Sequence, residues 1–174
     1  MSKRRNWVGG DEALSLRVGT PDDVDEVMQL ALSGSEENGF VDPSPVRLLA
    51  EIWPALNRDR GLLGVLHNPT GKIQGVVLLK IGKMWYSEQE VLEEKAIFIH
   101  PEYRGARGGR AKRLCEFSKQ VADGLSIPLI IGVLSNTRTE GKIRLYERQF
   151  GKPSGAFFLY GATTGVLREN EHGR

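Results

Sequence analysis

Apolar positions along the chain follow two periods, and the switches between them mark the expected elements. Leu14-Ser15-Leu16-Arg17-Val18 alternates apolar and polar, as a half-buried strand does. Thr20, Pro21, Asp22 and Asp23 then form a helix start: a capping hydroxyl, a proline suited to the first turn and two acids that complement the helix dipole. Val24, Val27, Met28, Ala31 and Leu32 give that helix its stripe, and Ser33 to Gly39 reads as the polar loop that ends it. Within this loop Glu36-Glu37-Asn38-Gly39-Phe40 is acidic with one aromatic, either plain surface or part of a pocket for a cationic substrate. A second helix begins between Pro43 and Pro45, with Val46, Leu49, Ile52, Trp53 and Leu56 on one face and Pro54 as its expected kink or stop.

Three strands follow. Leu62 to Leu66 leads into the turn Asn68-Pro69-Thr70-Gly71, and Ile73 to Ile81 returns, with Gly75 a candidate bulge. A polar connection carrying Trp85 and Tyr86 precedes the third strand, Val91 to Ile99, which Pro101 ends. Spacings of three and four then return: Ala111, Leu114, Cys115, Ser118, Val121, Ala122 and Leu125 form one buried helical stripe. Pro128 to Leu134 is a continuous apolar run, as in a strand covered on both faces. Asn136 or Thr137 caps a last helix to about Gln149, and Ala156 to Tyr160 reads as a final strand. A hairpin-linked antiparallel half thus meets a strand–helix–strand unit, which predicts an α/β fold with a mixed antiparallel and parallel central sheet flanked by helices. The expected organisation is an arm over 1–13, one domain over 14–161 and a polar tail over 162–174.

Composition adds bounds. The 174 residues suit one domain, and 40% hydrophobic with 26% charged residues is ordinary for a globular protein. The single Cys115 excludes an internal disulfide and a cysteine zinc cluster, and the three histidines show no metal-ligand spacing, so no metal is expected. No apolar run reaches the roughly 18–20 residues that span a bilayer. The basic start Met-Ser-Lys-Arg-Arg lacks the apolar core of a secretory signal, so a cytoplasmic location is expected.

A net charge of +2 is slight, but the cations cluster at Arg104, Arg107, Arg110, Lys112 and Arg113, among Gly105, Gly108 and Gly109. Glycines let backbone N–H groups point into a concavity, and a helix start adds partial positive charge, so this junction suits a diphosphate. Two other readings stay open there: a glycine turn with a solvated basic helix start, and an Arg/Gly nucleic-acid-binding module. The second is weakened because the basic residues share a helix with a core stripe and no exposed aromatics interleave for stacking.

The order of elements and two motifs resemble the GCN5-related N-acetyltransferases, the GNAT superfamily, over roughly residues 14–161. Ile97-Phe-Ile-His-Pro-Glu-Tyr-Arg-Gly105 is similar to that family's fourth strand and the start of its pyrophosphate loop. The family pattern Gln/Arg-x-x-Gly-x-Gly/Ala falls on Arg104-Gly105-Ala106-Arg107-Gly108-Gly109, with Arg107 where the family has glycine. An arginine there keeps its N–H and can carry its side chain outward to phosphate. Lys142-Ile-Arg-Leu-Tyr-Glu-Arg-Gln-Phe-Gly151 resembles the closing helix, its last pair reversed from the commoner Gly-Phe.

The resemblance implies acetyl-CoA as co-substrate and transfer of an acetyl group to a primary amine by direct attack in a ternary complex. It places the cofactor along Phe98 and Ile99, at Arg104, Gly105, Ala106, Arg107, Gly108, Gly109 and Arg110, and beside Asn136, which reads equally as a helix cap. It makes Tyr146 the acid that reprotonates the thiolate, against a plain core aromatic beside Ile143 and Phe150. Glu93 or Glu94 would be the base, only one of them facing the cleft because neighbours on a strand point oppositely. His100 is a further candidate relay. The expected partners are an acceptor amine of unspecified size and, still open, a second copy in a homodimer; a membrane is not expected and nucleic acid ranks lower. A catalytically silent fold of this type, serving in binding or assembly, remains an alternative.

Overall fold

The first hairpin closes on Asn68, whose Oδ1 accepts from the Thr70 N–H at 3.1 Å, the Thr70 hydroxyl at 2.8 Å and the Lys72 N–H at 2.9 Å. This and the other local signals build, in a computed structural model describing residues 13–105, 108–135 and 138–161, five strands and four helices. They are β1 (Ser15–Val18), α1 (Val24–Asn38), α2 (Pro45–Leu56), β2 (Gly61–His67), β3 (Ile73–Lys83), β4 (Glu90–Ile99), α3 (Arg110–Leu125), β5 (Leu129–Ile130) and α4 (Thr139–Phe150). Single 3-10 turns at Pro21–Asp23 and Pro101–Tyr103 precede α1 and follow β4. The sheet runs β1-β2-β3-β4-β5, antiparallel except for the parallel β4–β5 pair. The predicted mixed sheet with flanking helices is the observed one.

Each face of the sheet has its own apolar layer. Val27, Leu30, Ile52 and Leu56 of α1 and α2 pack on Val65, Val76 and Leu78. Leu114 and Ala122 of α3 pack on Leu66, Val77, Leu79 and Leu92 from the opposite side. The start of α1 is fixed as its residues dictate: the Thr20 N–H donates to Asp23 at 2.8 Å, and Arg17 forks onto the same carboxylate at 2.7 Å through both terminal nitrogens.

Five boundaries differ from the expectation. The first helix does not stop at Ser33 but continues through Glu36 and Glu37 to Asn38, where Gly39 takes the left-handed conformation (φ 63°) that ends it. Pro54 lies inside α2, two residues before its end, where the missing N–H costs one hydrogen bond of a turn already finishing. The bulge in β3 falls at Gln74, between the pairs Leu66↔Gly75 and His67↔Ile73, one residue before Gly75. Only Leu129 and Ile130 of the run 128–134 join the sheet. Ala156 to Tyr160 forms no strand at all, and Phe158 is 95% exposed. A strand exists through its ladder, and a β5 of two residues carries too little edge to extend one.

Candidate active site

The cleft begins with an irregularity in β4. Leu78 pairs with Ala96 and Leu79 with Glu94, so Lys95 is one extra residue, a bulge. Pairing with β5 ends just before it, at Glu93↔Ile130. Among the described residues, β5 offers β4 no partner beyond that point, and the strands part. The opening is a cleft of about 1950 Å³ between β4, the end of α1, α2, and the starts of α3 and α4.

The bulge also sorts the two glutamates. Glu94, opposite Leu79, takes the α3–α4 side, where the Tyr146 hydroxyl donates to its Oε2 at 3.2 Å. Glu93, opposite Lys80, takes the other side and is ion-paired with Lys95 at 2.7 Å. The two side chains take opposite sides, as neighbours on a strand do, yet both line the cleft, where only one was expected to face it; the structure brings Glu94, not Glu93, to Tyr146. Burial pushes the Glu94 carboxyl up to about 7, against the opposing pull of the Tyr146 hydrogen bond and of nearby Lys142. Burial and then the charge of Glu94 drive the Tyr146 phenol well above its ordinary range. Behind the pair, burial raises the Cys115 thiol to about 12, which keeps it a neutral core side chain.

At the other end of β4 the chain turns through Pro101–Tyr103 into α3. Arg104 folds back, its Nε donating to the Ile99 carbonyl at 2.9 Å and its Nη1 to Glu37 at 2.6 Å. The acidic segment of α1 therefore pairs with the basic loop. Phe98 packs so tightly beneath α1 that a Cβ on Gly34 would stand 2.4 Å from its ring. Gly108 and Gly109 have φ of 118° and 59°, conformations that side chains resist, and Gly109 caps α3 without a side chain over its first turn. Gly105 is likewise left-handed, at φ 73°. Arg110 is 4% exposed: its Nε donates to Gln74 at 2.8 Å and its guanidinium lies 5.1 Å from the Tyr103 ring centre. Ala106, Arg107 and Asn136 lie outside the described residues. His100 sits apart from Glu94 and Tyr146, its Nδ1 accepting from the Glu102 N–H at 3.4 Å.

Two site residues were missed from sequence. Gln74 is fully buried in the apolar first part of β3, and its carboxamide braces the first residue of α3. A lone amide in an apolar run was the available signal. Lys142 lies one helical turn before Tyr146 on the inward face of α4, and burial pushes its ammonium below the usual range. Spacing from Tyr146 by four would have found it.

No protein-family model and no curated protein sequence matches the chain. Solved structures do. A possible acetyltransferase from Clostridium difficile 630 superposes with a TM-score of 0.65 at 16% identity, covering 87% of this chain and 99% of its own. A GNAT family acetyltransferase from Staphylococcus aureus gives 0.57 at 18%, with the same coverage. The aminoglycoside N-acetyltransferase AAC(6')-Iy, in complex with the bisubstrate analogue CoA-S-monomethyl-acetylneamine, gives 0.66 at 12%, again over 87% and 99%. The chain therefore has the fold of the GNAT acetyltransferases.

Proposed function

We propose that the chain is an N-acetyltransferase that moves the acetyl group of acetyl-CoA directly to a primary amine in a ternary complex, with Glu94 as base and Tyr146 as acid. The observation that carries this reading is the hydrogen bond between Tyr146 and Glu94 at the point where β4 and β5 part. The two groups titrate far apart: a carboxyl near 7 is poised to accept a proton at neutral pH, while the raised phenol stays protonated there and so carries a proton to give.

The residues present suit acetyl-CoA. Left-handed glycines before α3 let main chain approach a diphosphate, Lys112 adds charge beside them, and Arg110, held by Gln74, fixes the helix start. A cleft of about 1950 Å³ exceeds the roughly 300–1,000 Å³ of a pocket for one small ligand. When bound, acetyl-CoA supplies a thioester whose acyl carbon accepts an amine. Glu94 takes the proton of the attacking amine, and Tyr146 gives its phenolic proton to the sulfur as the C–S bond breaks. The hydrogen bond between them then returns the proton from Glu94 to Tyr146, so the pair resets without solvent. Support for the reading comes also from the fold neighbours, several of which are named acetyltransferases, one in complex with a CoA-based bisubstrate analogue.

Calorimetry with acetyl-CoA, followed by thiol release against an amine panel, tests the reading. Micromolar binding and turnover are expected. No binding at high micromolar acetyl-CoA would remove it, and binding without thiol release would favour a catalytically silent fold.

A further inference from the structure

The chemistry of the acceptor is legible in the wall of the cleft nearest α2. The base faces the splay between β4 and β5 and the diphosphate end lies at α3, so the acceptor enters past the remaining wall. That wall is formed by Leu48, Glu51 and Ile52 of α2, Leu78 of β3, Met84 just beyond that strand, and β4 from Glu93 to Lys95. Its charges close on themselves. Glu51 of α2 holds Lys80 at 2.8 Å, Lys80 stands opposite Glu93 in the β3–β4 ladder, and Glu93 holds Lys95 at 2.7 Å. Two carboxylates and two ammonium groups sum to zero. The other described carboxylates lining the cleft are engaged as well: Glu37 with Arg104, Glu140 with Arg144 at 3.6 Å, and Glu94 with Tyr146. Against these five, the described walls carry eight lysines and arginines.

A polycation needs carboxylates that are not already matched, because each unmatched ammonium it buries loses hydration without return. Among the described residues this cleft supplies none along its acceptor wall, and its lining carries more cations than carboxylates elsewhere. What the wall does supply is apolar surface. Half-buried Leu48 and Met84 line the cleft above the core side chains Ile52 and Leu78, and Met84 leads directly into Trp85 and Tyr86, an edge-to-face pair 5.4 Å apart whose tryptophan is 94% exposed. Aromatic side chains standing in solvent gain from covering an apolar partner.

Resting on the acetyltransferase reading, we propose that the acceptor is a primary amine on an apolar body carrying a single positive charge, an arylalkylamine being its smallest form, and that polycationic amino sugars are poor acceptors. The discriminating elements are the Glu51–Lys80 and Glu93–Lys95 pairs, which cancel the wall's charge, and the apolar strip from Leu48 to Met84. The fold neighbours named as aminoglycoside acetyltransferases supply the rival expectation.

The experiment compares phenethylamine with kanamycin as acceptors for the full chain, after acetyl-CoA binding has been measured by calorimetry on the same sample. kcat/KM for phenethylamine is expected to exceed that for kanamycin at least tenfold. In the Lys80→Met, Lys95→Met double variant, which uncovers Glu51 and Glu93, the ratio should swing toward kanamycin by about tenfold. Acetyl-CoA binding with kanamycin as the better acceptor overturns the proposal and leaves acetyl transfer standing. Binding with neither amine acetylated, or a ratio unmoved by the double variant, also overturns it. No acetyl-CoA binding removes the transferase reading itself, and the acceptor assignment with it.

Discussion

Glu93 and Glu94 are the same residue type, one position apart on one strand, and the bulge at Lys95 gives them different surroundings. Glu93 sits on the α2 side with Lys95 at 2.7 Å and Lys80 opposite, an ion-paired carboxylate at a partly solvated surface. Glu94 sits on the α3–α4 side against Tyr146 and buried Cys115, and desolvation raises it to about 7. Charge on the first face is cancelled by neighbouring charge. On the second it is suppressed by burial, so the group stays chemically available at neutral pH. What surrounds a carboxylate sets its proton affinity, and a single inserted residue decides which of two neighbours is the buried one.

The sharpest way to break the contrast is at the second face. Tyr146→Phe is expected to lower kcat on the order of 10²-fold or more, with the acetyl-CoA dissociation constant unchanged, as steady-state kinetics and calorimetry would show. Unchanged turnover would remove its role as acid. Glu94→Gln should cost a similar factor and flatten the pH profile: kcat/KM of the parent rises with pH until about 7, where Glu94 becomes ionised, and the variant loses that limb. Next comes Gln74→Leu, which unties Arg110 from β3. Its KM for acetyl-CoA should rise about tenfold while kcat changes little, separating a positioning role from a catalytic one.

A thermal measurement probes the same carboxyl independently of substrate. The folded value of about 7 lies above the ordinary 4.5, so between these pH values the folded chain keeps a proton that the unfolded chain has released. Stability contributed by this group is therefore present below about pH 4.5 and lost as pH rises through 7. Glu94→Gln, which never ionises, should melt roughly 5 °C above the parent at pH 8 and level with it at acid pH. The smallest effect belongs to the first face. Glu93→Gln should change kcat less than about threefold, since a partly exposed ion pair contributes little.

Much of the architecture is local in origin and legible as such. The alternating run at β1, the Thr20–Asp23 helix start, the Asn68–Gly71 turn and the three-four stripe of α3 each state their element within a dozen residues, because strand and helix periods are properties of the chain itself. The turn before α3 is legible too, through its glycines, whereas Tyr146 stood out only through the family resemblance. Tertiary structure decided the rest. It alone put the bulge at Lys95, paired Arg104 with Glu37 sixty-seven residues away, turned Arg110 inward to Gln74, and left Phe157 to Tyr160 without a ladder. The physical reason is common to all four. Periodicity fixes which way a residue faces along its own element, whereas a strand's partner, a bulge's place and a carboxyl's pKa depend on groups that folding brings from elsewhere.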